Sequence, residues 1–235
     1  MITLYNGDVP LSAMGCRIKT IAECYKGIAD SVALYKSDNG AVLCRFGSSL
    51  LMTELCDKDE LWQFCAAFGI EQIETEASID ISLDGFKAEC YPLLYCDCKG
   101  EGEVSFLPSL KCCYDTVCAA DSGFAAETEY LYWLSDITRR QNKGLAKAYF
   151  DNGAAATVTA LSNGCGYLSL VASMPNERRK GRASAVIKTV LEDKFLYGKR
   201  LFTAAQNYDL IKFYQKNGFS LLEKHIVIFK KEKQR

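Results

Sequence analysis

Apolar residues recur along this chain in two rhythms, and the rhythm changes often enough to outline its elements. In "PLSAMGCRIKTIAECYK", residues 10–26, they fall three and four apart and stop before Gly27, which predicts a helix. "SVALYKS", "AVLCRF" and "SLLMTEL" are short alternating or apolar runs that predict strands, the first two joined by the hairpin signal "SDNG". "DKDELWQFCAAFG" returns to helical spacing, with Asp57 as N-cap, acids in the first turn and Gly69 at its end. "IEQIETE" predicts a strand, and "SIDISLDGFKAECYPLLYC" extended or irregular chain. Further on, "ETEYLYWLSDITRRQNKG" predicts a helix closed by Gly144. "LAKAYF", "AAATVTAL" and "YLSLVAS", separated by "DNG" and "SNGCG", predict an antiparallel meander. "RRKGRASAVIKTVLEDKFL" is an amphipathic helix with Ala183, Val186, Ile187, Val190 and Leu191 on one face. "RLFTAA", "YDLIKFYQKNG" and "SLLEKHIVIFK" read as strand, short helix and last strand, which makes the chain α/β with a mixed sheet.

Between the two patterned stretches, "CKGEGEVSFLPSL" substitutes glycine, proline and charge for apolar periodicity. A boundary is expected between residues 99 and 115, dividing the chain into residues 1–105 and 106–235. Each part shows the order three strands, helix, strand. Composition fits such a reading: 49% of the 235 residues are apolar and 24% charged, as in a folded globular chain. The net charge of −1 leaves no global field for nucleic acid or a membrane surface, so neither is expected as a partner. The N-terminus lacks a basic region followed by an apolar core, and no apolar run is long enough to span a bilayer, so the expected location is cytoplasmic.

The twelve cysteines do not make a disulfide scaffold plausible in a chain of this size. "CDC" (Cys96, Cys98) with "KCCYDTVC" (Cys112, Cys113, Cys118) matches zinc spacing poorly, so reduced thiols and no metal are expected. His225, the single histidine, lies beside charged residues and is expected at the surface.

One stretch breaks the even charge distribution. "SMPNERRKGRAS", Ser173 to Ser184, gathers four basic residues around Gly181 just after a strand that Pro175 must end. It opens the amphipathic helix, and a helix N-terminus offers unpaired N–H groups and partial positive charge, a natural anion site. Gly181 admits close approach to the backbone, Ala183 keeps the next position small, and Arg179, Lys180 and Arg182 add positive charge. The run is neither a P-loop nor a dinucleotide fingerprint. A solvated basic face, a kinase site and a nucleic-acid patch remain as rival readings; cations at a helix start oppose the dipole, which weakens the first. In "NYDLIKFYQKNGF", Asn207 and Tyr214 stand almost two helical turns apart and are expected on one side. The alternative is an N-cap amide at Asn207 and a half-buried tyrosine at Tyr214.

"RRKGRA" followed by "NYDLIKFYQKNGF" resembles the GNAT superfamily of N-acetyltransferases, whose signature is strand, [QR]-x-x-G-x-[GA], helix; Arg178, Gly181 and Ala183 fill its positions. The likeness runs from about residue 113 to the end, and "LVASMP" looks like the family's splayed fourth strand. It implies acetyl-CoA as co-substrate and an amine, small or peptidic, as acceptor. It implies that Val171, Ala172 and Ser173 bond the pantetheine arm by their backbone, that Arg179 to Ser184 hold the pyrophosphate, and that Asn207 contacts the pantetheine. Tyr214 would protonate the departing thiolate, a role a phenol with pKa near 10 can fill. The strand carboxylate that many members use as a base is missing, with Phe202 and Thr203 in its place; Glu127, Glu129 and solvent are the substitutes. The first 105 residues carry neither motif and form an α/β domain of unassigned role, with a degenerate second copy as one reading. The resemblance implies an enzyme; the competing class is a non-catalytic acyl-CoA-binding or sensor module, and a nucleic-acid binder ranks behind both.

Overall fold

The computed structural model describes residues 1–28, 32–78, 81–102 and 108–232. In chain order its elements begin with β1 (Thr3–Leu4), α1 (Ala13–Tyr25), β2 (Val32–Lys36), β3 (Val42–Phe46), β4 (Ser49–Met52), α2 (Lys58–Phe68), β5 (Gln72–Ala77) and β6 (Phe86–Asp97). There follow α3 (Leu110–Ala120), α4 (Ser122–Glu127), α5 (Tyr130–Asn142), β7 (Lys147–Asp151), β8 (Ala154–Leu161) and β9 (Cys165–Ser173). The chain closes with α6 (Arg182–Glu192), β10 (Arg200–Ala204), α7 (Tyr208–Lys216) and β11 (Ser220–Lys231).

Contacts divide the chain into two units: Met1–Leu94 with Ala204–Lys212 and Leu221–Arg235, and Tyr95–Thr203 with Phe213–Ser220. The boundary expected at 105/106 falls within residues 103–107, outside the described residues. The units are not consecutive halves of the chain. The last strand, β11, lies in the first unit, because β5 offers it an antiparallel edge from His225↔Ala77 to Lys230↔Gln72.

In the first unit, β2, β3 and β4 form an antiparallel meander; α2 crosses over and β5 returns parallel to β4. The order is β1-β2-β3-β4-β5-β11-β6. Leu43, Leu50, Met52, Leu61, Ile70, Ile73, Val227 and Phe229 build its core, each with essentially no exposed surface. Helix α1 starts where Ser12 caps the amide of Gly15, and the buried Glu76 carboxylate on β5 takes the amide of Met14 at 2.5 Å. Gly15 must be glycine, since a Cβ there would stand 1.9 Å from the carbonyl oxygen of Pro10.

The second unit repeats the order. β7, β8 and β9 are an antiparallel meander, α6 crosses over, and β10 returns parallel to β9, giving β10-β9-β8-β7. Neighbouring strand residues face opposite ways. Ala148 packs with Cys113, Trp133, Ile137, Ala146 and Ala155 under α3 and α5. Tyr149 points the other way, its hydroxyl donating to Asp193 just past α6 at 2.8 Å, where Lys147 Nζ also reaches Asp193 at 2.6 Å. Helices α3 and α6 therefore cover opposite faces. Among the described residues no helix is long and apolar enough to cross a membrane.

Three sequence expectations need correction. Helices α3 and α4 were not foreseen: the buried face of α3 is Cys113, Thr116 and Val117, residues with modest helix preference whose cysteine drew the metal question instead. Helix α6 begins at Arg182 rather than at Arg178, because Gly181 is left-handed (φ 77°) and ends the preceding turn. His225 is half-buried rather than a surface residue, and its Nδ1 is buried without a hydrogen-bond partner among the described residues.

Candidate functional site

In the second unit, β9 and β10 pair only through Cys165↔Arg200, Gly166↔Leu201 and Tyr167↔Phe202. β9 then runs on to Ser173, and burial falls from complete at Cys165–Leu168 to partial at Ser169–Ser173. The cause is local: Leu170 takes a left-handed φ of 53°, and the β8 register slips there, from Thr157↔Ser169 to Ala155↔Ala172. This is a β-bulge, which bends the bulged strand and takes one residue out of the ladder. Val171, Ala172 and Ser173, the residues expected to present backbone to a ligand, lie just beyond it. They keep their β8 partners at Ala172 and Ser173 and have no β10 partner.

Past Ser173 a short 3-10 turn, Pro175–Glu177, leads into residues 178–181 and then α6. Arg179 (φ 61°) and Gly181 (φ 77°) are left-handed and flank Lys180, which is not. Such alternation curls successive N–H groups into an anion-binding concavity. No acceptor among the described residues takes the amide of Arg179, Lys180, Gly181, Arg182, Ala183 or Ser184, and α6 has no side-chain cap. A Cβ built on Gly181 meets nothing within 4 Å, so the backbone there faces open space.

The four cations of the run are not equivalent. Glu177 accepts from Lys180 Nζ at 3.1 Å and from Arg182 Nε at 3.4 Å, and these partners hold its carboxyl below the usual range. Arg178 Nη2 donates to the carbonyl of Ala120 at 3.2 Å. Arg179 is exposed and has no ion-pair partner among the described residues. Sequence reasoning placed the cations together but missed Glu177, whose position two residues past Pro175 was the available signal.

Tyr214 is 6% exposed, packed against Phe213 and Phe219. Burial pushes its phenol above the ordinary value, while a hydrogen bond from the Thr203 hydroxyl partly offsets the rise. Thr203 is the residue after Phe202, the last β10 partner of β9. Asn207 is exposed, and its Oδ1 accepts from the Leu210 amide at 3.0 Å as the N-cap of α7. Asn207 thus precedes α7 as its cap, as the alternative reading has it, and Tyr214 lies within the helix.

Glu127 and Glu129 are exposed at the end of α4 and the start of α5. Cys113 and Cys98 are buried and Cys112 is exposed. Burial pushes the thiols of Cys98 and Cys113 up to about 12.

Comparison with known proteins adds three findings. Residues 109–219 match the model of the acetyltransferase (GNAT) family. No curated protein sequence matches the chain. Solved structures do: a GCN5-related N-acetyltransferase from Kribbella flavida has a TM-score of 0.56 at 11% identity, covering 94% of this chain and 95% of that one. A GCN5-related N-acetyltransferase from Sphaerobacter thermophilus has a TM-score of 0.54 at 13% identity, covering 90% and 84%. A tandem GNAT protein from the clavulanic acid biosynthesis pathway covers 100% of both chains with a TM-score of 0.50 at 10% identity. At these identities the likeness is one of fold, and it extends to both units.

Proposed function

With residues 109–219 forming a GNAT acetyltransferase domain, we propose that this domain transfers acetyl from acetyl-CoA to an amine by direct attack in a ternary complex. One observation carries the reading: a strand edge that opens beyond Tyr167 and a set of uncapped helix amides belong to the same strand–helix–strand motif, β9–α6–β10, and a buried phenol follows it on α7. The residues fit the co-substrate. The amides of Arg179 to Ser184 can hold a diphosphate, and the free edge at Val171, Ala172 and Ser173 can bond an amide-bearing pantetheine arm as an added strand would. Arg178, Gly181 and Ala183 supply the turn, with Lys180 and Arg182 as flanking charge. Acetyl-CoA supplies the activated acetyl group.

The phenol of Tyr214 keeps its proton at neutral pH, because burial raises its pKa. It is therefore available to donate that proton to a leaving thiolate. A backbone N–H near the bulge would stabilise the tetrahedral oxyanion. The acceptor amine must shed a proton before attack. Phe202 and Thr203 on β10 carry no carboxylate, so solvent or the exposed Glu127 and Glu129 serve as the base in this proposal. Asn207 is assigned a contact with the pantetheine through its amide nitrogen, its oxygen being used as a cap.

The test is calorimetric titration with acetyl-CoA, followed by mass-spectrometric screening of small and peptidic amines for a 42 Da gain. Binding in the micromolar range with turnover on at least one amine is expected. Absence of binding would sink the proposal, and binding without turnover on any amine would leave an acyl-CoA-binding module in its place.

A further inference from the structure

Arg178 fills the first position of the signature, yet its guanidinium is engaged elsewhere, with Nη2 donating to the carbonyl oxygen of Ala120 at 3.2 Å. Ala120 ends α3. The last carbonyls of a helix lack donors of their own and carry the negative end of its dipole. A guanidinium there satisfies an acceptor and complements its charge. The corner it reaches is a joint. Asp121 closes α3 and caps α4, its Oδ1 taking the amides of Gly123 at 2.9 Å and Phe124 at 3.1 Å. The Tyr114 hydroxyl of α3 donates to the Thr128 carbonyl after α4 at 2.5 Å. Because α3 and α6 cover opposite faces, the Arg178 side chain links the loop that opens α6 to a helix on the other side of the sheet.

We infer that Arg178 is a positioning residue: its side chain fixes the diphosphate loop to the α3–α4 corner and does not itself bind phosphate. The inference rests on the acyl-CoA reading above. A ligand held by the amides of Arg179 to Ser184 immobilises the backbone from which Arg178 springs, and the link passes that restraint to the corner. Such coupling is reciprocal, so a looser corner must also weaken the ligand. The weakening acts through loop position, so it reaches only a ligand that engages the loop amides.

Hydrogen exchange on the full chain tests this, comparing wild type, Arg178→Ala and Arg178→Lys with and without acetyl-CoA. In the free protein, Arg178→Ala should speed exchange of residues 121–128 by three- to tenfold, with Arg178→Lys restoring part of the protection. Saturating acetyl-CoA should slow these amides in wild type but not in Arg178→Ala, while residues 179–184 gain protection in both. The dissociation constant for acetyl-CoA should rise in Arg178→Ala, while that for S-acetyl-pantetheine, which lacks the diphosphate and so does not reach the loop amides, should stay unchanged. Unchanged exchange at the corner would overturn the inference. So would slowing of residues 121–128 by acetyl-CoA in Arg178→Ala, since the restraint would then not pass through this side chain. If wild type binds no acetyl-CoA, the transferase reading falls, and exchange in the free protein still decides the link to Ala120.

Discussion

The two units build the same strand–helix–strand crossing and finish it in opposite ways. In the first, all four residues of β4 pair with β5, from Ser49↔Gln72 to Met52↔Thr75. Its helix is sealed: Asp57 takes the amides of Asp59 and Glu60 at 3.0 Å each, and two acids occupy the first turn. In the second, β9 outruns its partner, a bulge bends it, and α6 starts from an uncapped left-handed glycine among cations. The crossing alone therefore does not fix how its ends finish. In the second unit the helix start has no side-chain cap and the strand beyond Tyr167 has no β10 partner, whereas the first unit has closed both openings.

The largest effect should come from removing the phenol that follows the second crossing on α7. Tyr214→Phe should lower kcat by about 10²–10⁴-fold, the span of general-acid catalysis, with the calorimetric Kd for acetyl-CoA unchanged. Because burial raises the Tyr214 pKa, the acid form persists through neutral pH and above. The pH–rate profile of wild type should show no alkaline decline below about pH 10, the ordinary phenol value. A decline near pH 8 would assign the acid to another group.

Next in size, Gly181→Asp copies the sealed end of α2 onto α6. The new carboxylate competes for the free amides, and acetyl-CoA affinity should fall by about 100-fold, or ~2.7 kcal/mol. An unaltered Kd would mean that these amides do not carry the diphosphate. The reverse experiment is smaller: Asp57→Ala should cost about 1 kcal/mol of stability in denaturant titration and leave acetyl-CoA affinity untouched.

The smallest contrast concerns thiols, in which the units are alike. Burial pushes Cys44 and Cys65 in the first, and Cys98 and Cys113 in the second, up to about 12. A raised thiol pKa contributes stability that is complete below the unfolded value, about 8.5, and is lost as pH climbs towards 12. Melting temperature should therefore decline from about pH 9 upward. At neutral pH a thiol reagent should modify the exposed Cys90 and Cys112 well before these four.

What was legible in the sequence followed from local chemistry. Asp57 and Gly69 bracket α2 as capping rules require, and the basic residues around Gly181 do lie at the start of α6. The bulge at Leu170 was not legible, because a leucine at positive φ is held there by surrounding pairs rather than by its own preference. The helix α3 was hidden by cysteines acting as small apolar residues. The cap at Asn207 was legible as one of two readings, since an asparagine just before a helical run is a common N-cap. The destination of β11 depends on a partner far away in sequence, which periodicity does not encode.

That destination has a price in time. β11 is made long after β5, the strand it pairs with, and its Val227 and Phe229 fill the first unit's core. The earlier strands must wait, with an open edge, until β11 has been made. Nascent chains stopped before residue 220 should stay protease-sensitive and depend on chaperones, because the first unit's core is still incomplete.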